Sequence, residues 1–155
     1  MLYTAAQLQQ IYRIFPSIDK STFVVTSPQT RRYNCIAWAA ADNGHWWEPH
    51  PDYYWPPGLP LNDYSVANYI AAFRTIGYTP CVDGSLEVGV EKVVIYSAAG
   101  IAKHMARQLP DGAWTSKLGQ GHDVRHGNDR CLAGQTYGIC THYLSRPLNH
   151  AAGSV

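Results

Sequence analysis

Cys35 sits in the stretch YNCIAWAA, directly after an asparagine and ahead of a run of small and apolar residues. Asn34 offers its side chain as the N-cap of a helix over roughly 35–42, which puts the cysteine in the first helical turn. There the unpaired backbone N–H groups carry partial positive charge and favour the thiolate, the nucleophilic form of the side chain. The same groups, above all the N–H of Cys35 itself, can stabilise the oxyanion formed when sulfur attacks a carbonyl, and Tyr33 and Asn34 can add a side-chain donor. Such chemistry also needs an imidazole to take and return the proton. Among seven histidines, His104 stands out because IAKHMARQL reads as a strand, a rigid element that can aim a ring at a helix end. A third group must orient that ring. Ser116, His122, Asp123 and His126 follow closely along the chain, and Asp123 has the best chemistry for holding an imidazolium.

The elements that must position these residues are legible from local signals. Thr4 caps a first helix running to about Phe15, with Leu8, Ile11, Tyr12 and Phe15 on one face and Pro16 as its stop; this helix reads as packing. TFVV at 22–25 is a short β-type run leading into a polar loop and the Cys35 helix. The segment HWWEPHPDYYWPPGLPLND, at 45–63, is dense in proline and aromatic rings and predicts a long irregular connection lying against the body of the fold. Its rings read first as core or loop anchors. Because they follow the nucleophile helix directly, Trp46, Trp47 and Trp55 are also candidates for the wall of a substrate groove, together with Tyr33 and Asn34. Asp63 or Asn62 is expected to cap a third helix reaching about Ile76, with Gly77 as the stop. Strands are expected at 91–98, 101–109, 113–118 and 135–146, with turns at Ala99-Gly100 and Asp111-Gly112. The pattern predicts an α+β fold with a mostly antiparallel sheet, and the length of 155 residues fits one domain over 1–155.

Composition narrows the function classes. Hydrophobic residues make up 46% of the chain and charged residues only 15%, which argues against disorder. A net charge of +1 with scattered Lys and Arg predicts no nucleic-acid partner and no anionic membrane. No stretch approaches membrane-spanning length, and MLYTAAQLQQIYRIF carries no basic leader followed by an apolar core, so the expected location is the cytoplasm. Four cysteines without a CxxC give little reason to expect a disulfide framework or a zinc ribbon.

The order YNCIAWAA, EKVVIYSAAGIAKHMARQL, DGAWTSKLGQGHDVRH resembles the catalytic core of papain-like cysteine hydrolases, most of all the NlpC and CHAP types. The same stretches are similar to a small bacterial domain family without an assigned function. The resemblance covers roughly residues 31–126 and implies a nucleophile-bearing helix packed on the sheet, with Cys35 as nucleophile and His104 as base. It places the third polar residue on the strand after the histidine, at Ser116, where Asp123 or His126 could substitute from the following turn. It also implies a cofactor-free, metal-free amide hydrolase acting through an acyl-enzyme on a peptide, protein or peptidoglycan-type substrate. Deamidation or transglutamination would use the same site. A domain of this kind acts inside its own cell or is exported as an effector by a signal-peptide-independent route, in which case a cognate inhibitor protein is a further partner. Two differences stand out: no Ser-Gly follows the cysteine, and the Trp/Pro insertion is not typical of the NlpC type.

Blander readings compete at each residue. A lone cysteine is more often a buried inert thiol, and Cys81, Cys131 and Cys140 are read that way. For Cys35 the combination with a strand-borne His104 favours catalysis. The H-D-x-x-H spacing at 122–126 lacks further ligands and reads as solvated turn polarity, with Lys117 as a surface charge. The alternative from another class is a catalytically silent module that keeps the core and binds a partner through its aromatic loop.

Overall fold

The computed structural model describes residues 2–148. Seven strands form one sheet: β1 (Val24–Val25), β2 (Thr79–Cys81), β3 (Val90–Ala98), β4 (Ile101–Gln108), β5 (Trp114–Lys117), β6 (Asp123–His126) and β7 (Ile139–Pro147). Their order is β1-β6-β5-β4-β3-β7-β2, and every neighbouring pair is antiparallel. The fold is therefore mixed α+β. Three helices accompany the sheet: α1 (Ala5–Ile14), α2 (Cys35–Ala39) and α3 (Val66–Arg74), with one 3₁₀ turn at Asp129–Leu132. No described helix is long and apolar enough to cross a membrane.

The two faces of the sheet bury different sets of side chains, as the alternation of a strand requires. Val93, Ile95 and Met105 pack with Ile36 and Ala37 of α2 and with Tyr69, Ala72 and Phe73 of α3. Val94, Tyr96, Ala106, Trp114 and Val124 pack on the other face with Ile11 and Phe15 beside α1 and with Leu132 of the 3₁₀ turn. A register shift between Tyr96 and Ser97 passes over Lys103, so His104 lies opposite Tyr96 while Ala102 lies opposite Ser97. This bulge decides which face His104 occupies.

Several local expectations are met. Thr4 caps α1 with a reciprocal Thr4–Gln7 box, and Asn34 caps α2 through the Ala37 N–H at 3.1 Å. The 45–63 segment is an irregular connection held by its rings: Trp47 packs against Phe73, and Trp55 against Tyr69. Other boundaries move. The cap of α3 is Ser65, whose own N–H is taken by the Asp63 carboxylate at 2.9 Å, while Asn62 sits at φ +58 in a turn. β7 starts at Ile139 because Gly134 and Gly138 exchange two backbone hydrogen bonds, both 2.8 Å, and close residues 135–137 into a loop. Residues 123–126 form a strand, β6, where a solvated turn was expected, and Lys117 on β5 is fully buried where a surface charge was expected. Cross-strand pairing, from Lys117↔Asp123 to Trp114↔His126, overrides the polarity of these short segments.

Candidate active site

The site is built where β4 and β5 part. These strands pair only at Arg107↔Thr115 and Gln108↔Trp114, and further along the same edge of β4 Ser65 bridges Ile101 through the Ala102 N–H on the Tyr64 carbonyl at 2.9 Å and the Val66 N–H on that of Gly100 at 3.0 Å, so the edge is open only between Ala102 and Arg107. α2 covers the parting from one face, held by the Trp38 indole N–H donating to Thr115 Oγ1 at 2.9 Å and by Arg107 lying over the Trp38 ring. Asn34 fixes the start of α2. Its amide donates to the Trp47 carbonyl at 2.7 Å, and its oxygen accepts from the Trp47 N–H at 3.0 Å as well as from Ala37. The aromatic connection is thereby tied to the helix that carries the cysteine.

Cys35 opens α2 as a half-buried residue, and the backbone N–H groups of Met105, Ile36 and Cys35 itself are directed at its sulfur. These donors and the Lys117 ammonium favour a thiolate, yet burial outweighs them and pushes the thiol up to about 11. The helix start alone predicts a lowered value. The structure reverses the sign, because desolvation of a buried anion costs more than a single short helical turn returns. The other cysteines have free thiols, and burial raises Cys131 and Cys140 as well.

His104 is fully buried on the opposite face of β4 from Met105. Its ring stacks on Tyr137, with centroids 4.0 Å apart and planes within 6°, and meets Tyr96 edge-on at 5.0 Å. Nε2 lies 3.1 Å from Ser116 Oγ, which in turn lies 2.8 Å from His126 Nε2; His126 Nδ1 reaches the Asn128 carbonyl at 2.8 Å. These three side chains share a face because Ser116 has the parity of Trp114, and His126 that of Val124. Burial holds His104 well below the usual histidine range and His126 down at about 4, so both rings are neutral at neutral pH. The Nδ1 atom of His104 is buried and has no hydrogen-bond partner among the described residues.

The structure thus brings His104 and Ser116 together and adds His126. Asp123 does not join them: it faces the α2 side, where its Oδ2 accepts from the Tyr33 hydroxyl at 2.5 Å. The Tyr33 ring stacks on Trp38 and lies under the Lys117 ammonium, which donates to the Thr30 carbonyl at 2.8 Å and to that of Gly121. Lys117 therefore pins the 26–32 loop to the β5–β6 turn, beside the sulfur. Trp47 and Trp55 are core residues, and Trp46 is half-buried with its indole N–H on Glu48 at 3.0 Å. His122 reaches the Leu2 carbonyl at 3.0 Å. Among the described residues no group of three His, Cys, Asp or Glu side chains is arranged to hold a metal ion. Tyr137, which covers the His104 ring, was not anticipated from the sequence; only the Gly134–Gly138 spacing around it hints at a closed loop.

A family profile matches residues 24–145, from β1 into β7, and so takes in every residue of the site. The chain belongs to a family described as a domain of unknown function, DUF7689. No curated protein and no solved structure matches it. α1 lies outside the matched span.

Proposed function

We propose that this protein is a cysteine-dependent amide hydrolase with a papain-like core, in which Cys35 is the nucleophile and His104 the general base. The observation that carries this reading is the buried His104 imidazole: Nε2 is engaged by Ser116, Nδ1 is without a hydrogen-bond partner among the described residues, and the backbone N–H of the next residue, Met105, is directed at the Cys35 sulfur. A buried polar nitrogen without a partner is costly in a merely structural histidine and calls for an explanation, of which a catalytic role is one.

The resting pair is a neutral thiol and a neutral imidazole. No hydrogen bond joins them; catalytic hydrogen bonds in substrate-free enzymes are often long and tighten when substrate binds. As sulfur attacks an amide carbonyl, the thiol proton passes to His104 Nδ1, and the developing oxyanion takes N–H donors at the start of α2. The imidazolium then protonates the leaving amine. Water, deprotonated by the same nitrogen, releases the acyl group and restores the thiol. Deamidation or transamidation needs only a different donor or acceptor at these two steps.

The test is turnover of peptide amides and peptidoglycan fragments, with intact-mass detection of an acyl group on Cys35. Activity abolished in Cys35→Ala and in His104→Ala, with the fold retained, is the expected result. Turnover that survives Cys35→Ala overturns the proposal.

A further inference from the structure

We infer that His126 is a positioning residue, which acts through Ser116 to dictate the nitrogen of His104 that serves as the base. The inference rests on the hydrolase reading for its catalytic consequence, but its geometric part stands alone.

A backbone carbonyl can only accept a hydrogen bond. His126 Nδ1 lies 2.8 Å from the Asn128 carbonyl and must carry a proton to bond it. A neutral imidazole has one proton, so Nε2 of His126 is an acceptor, and Ser116 Oγ, 2.8 Å away, donates to it. The single hydroxyl proton being spent, Ser116 can only accept from its other neighbour. His104 Nε2, at 3.1 Å, is therefore the protonated nitrogen, and Nδ1 holds the lone pair. That is the atom without a partner. A chain of three hydrogen bonds, directed by one carbonyl, leaves the basic nitrogen of His104 free.

Reversing the chain has identifiable costs. With neutral His126 protonated on Nε2, the Nδ1 lone pair would face the Asn128 carbonyl oxygen. With doubly protonated His126, Ser116 would turn its proton to His104 Nε2 and force the His104 proton onto Nδ1, but burial on this face disfavours that charge. Both rings and Ser116 are buried, so no solvent competes for these bonds. Ser116 alone, a rotor that donates or accepts equally well, would fix nothing; His126 supplies the direction.

The tautomer of His104 is read directly by long-range nitrogen–proton correlation spectra of histidine-labelled protein without substrate. Wild-type His104 protonated on Nε2 is the expected result. In Ser116→Ala, and in His126→Phe, which keeps the ring volume but removes both nitrogens, this preference is lost, and kcat falls about 10- to 100-fold with KM unchanged. His126→Gln, which returns an acceptor oxygen toward Ser116, recovers part of the loss. A wild-type proton on Nδ1 overturns the inference whether or not the variants fold. So do folded Ser116→Ala and His126→Phe proteins with wild-type tautomer and kcat. Absence of amide hydrolysis alongside an Nε2–H His104 overturns the hydrolase reading alone.

Discussion

The pH dependence of alkylation at Cys35 discriminates between two modes of thiol activation. A thiol at a helix start with a charged imidazole beside it would be a preformed ion pair, reactive well below neutral pH. The structure gives the opposite resting state, with Cys35 pushed up to about 11 by burial and His104 neutral. Against an ordinary thiol titrating near 8.5, this leaves about 300-fold less thiolate at pH 7.5. Iodoacetamide labelling followed by peptide mapping separates Cys35 from Cys81, Cys131 and Cys140. The labelling rate at Cys35 is expected to rise about tenfold per pH unit from 7 to 10, with no plateau in that range. A plateau with its midpoint below 8.5 would refute the reasoning, because it would mean that the Met105 N–H, the helix start and Lys117 together outweigh desolvation.

Three further outcomes follow from the same contacts. Neutral buried His126 titrates near 4 when folded and near 6.5 when unfolded, so the unfolded chain binds more protons between these values; stability is expected to fall by about 3 kcal/mol as pH drops from 6.5 to 4, a loss that His126→Phe should flatten in thermal melts. Tyr137→Ala removes the ring stacked on His104, an interaction worth about 1 kcal/mol, and should raise Cys35 labelling at fixed pH by up to about tenfold; an unchanged rate would show that the ring does not guard the site. Asn34→Ala removes the α2 cap and both bonds to Trp47, and should cost about 2 kcal/mol in urea unfolding, with a cost near zero ruling out Asn34 as the anchor of the aromatic connection.

Much of the site's scaffold was legible one residue at a time. Asn34 as a cap, the strand reading of IAKHMARQL and the Asp111-Gly112 turn rest on side chains that satisfy neighbouring backbone groups or on alternation within a few residues. Asp123 shows where this reasoning stops. Its chemistry recommended it for orienting His104, but its β6 parity turns it to the α2 face and the Tyr33 hydroxyl, while His126, three residues on, shares the face of Ser116. A shift of one residue in register would exchange these roles. Lys117 and residues 122–126 were likewise expected in solvent on polarity alone, and pairing between β5 and β6 took them inside.

What the sequence determined by itself, then, is the set of local elements, with Cys35 at a helix start and His104 within a strand, because caps, turns and strand alternation are short-range. Tertiary structure alone decided the rest. The bulge at Lys103 sets the face of His104, the hairpin registers choose Ser116 and His126 over Asp123, and burial sets the protonation state of the thiol and both imidazoles. Those outcomes depend on which distant strands pair and how much water they exclude, and desolvation is a property of the packed assembly, not of any segment of the chain.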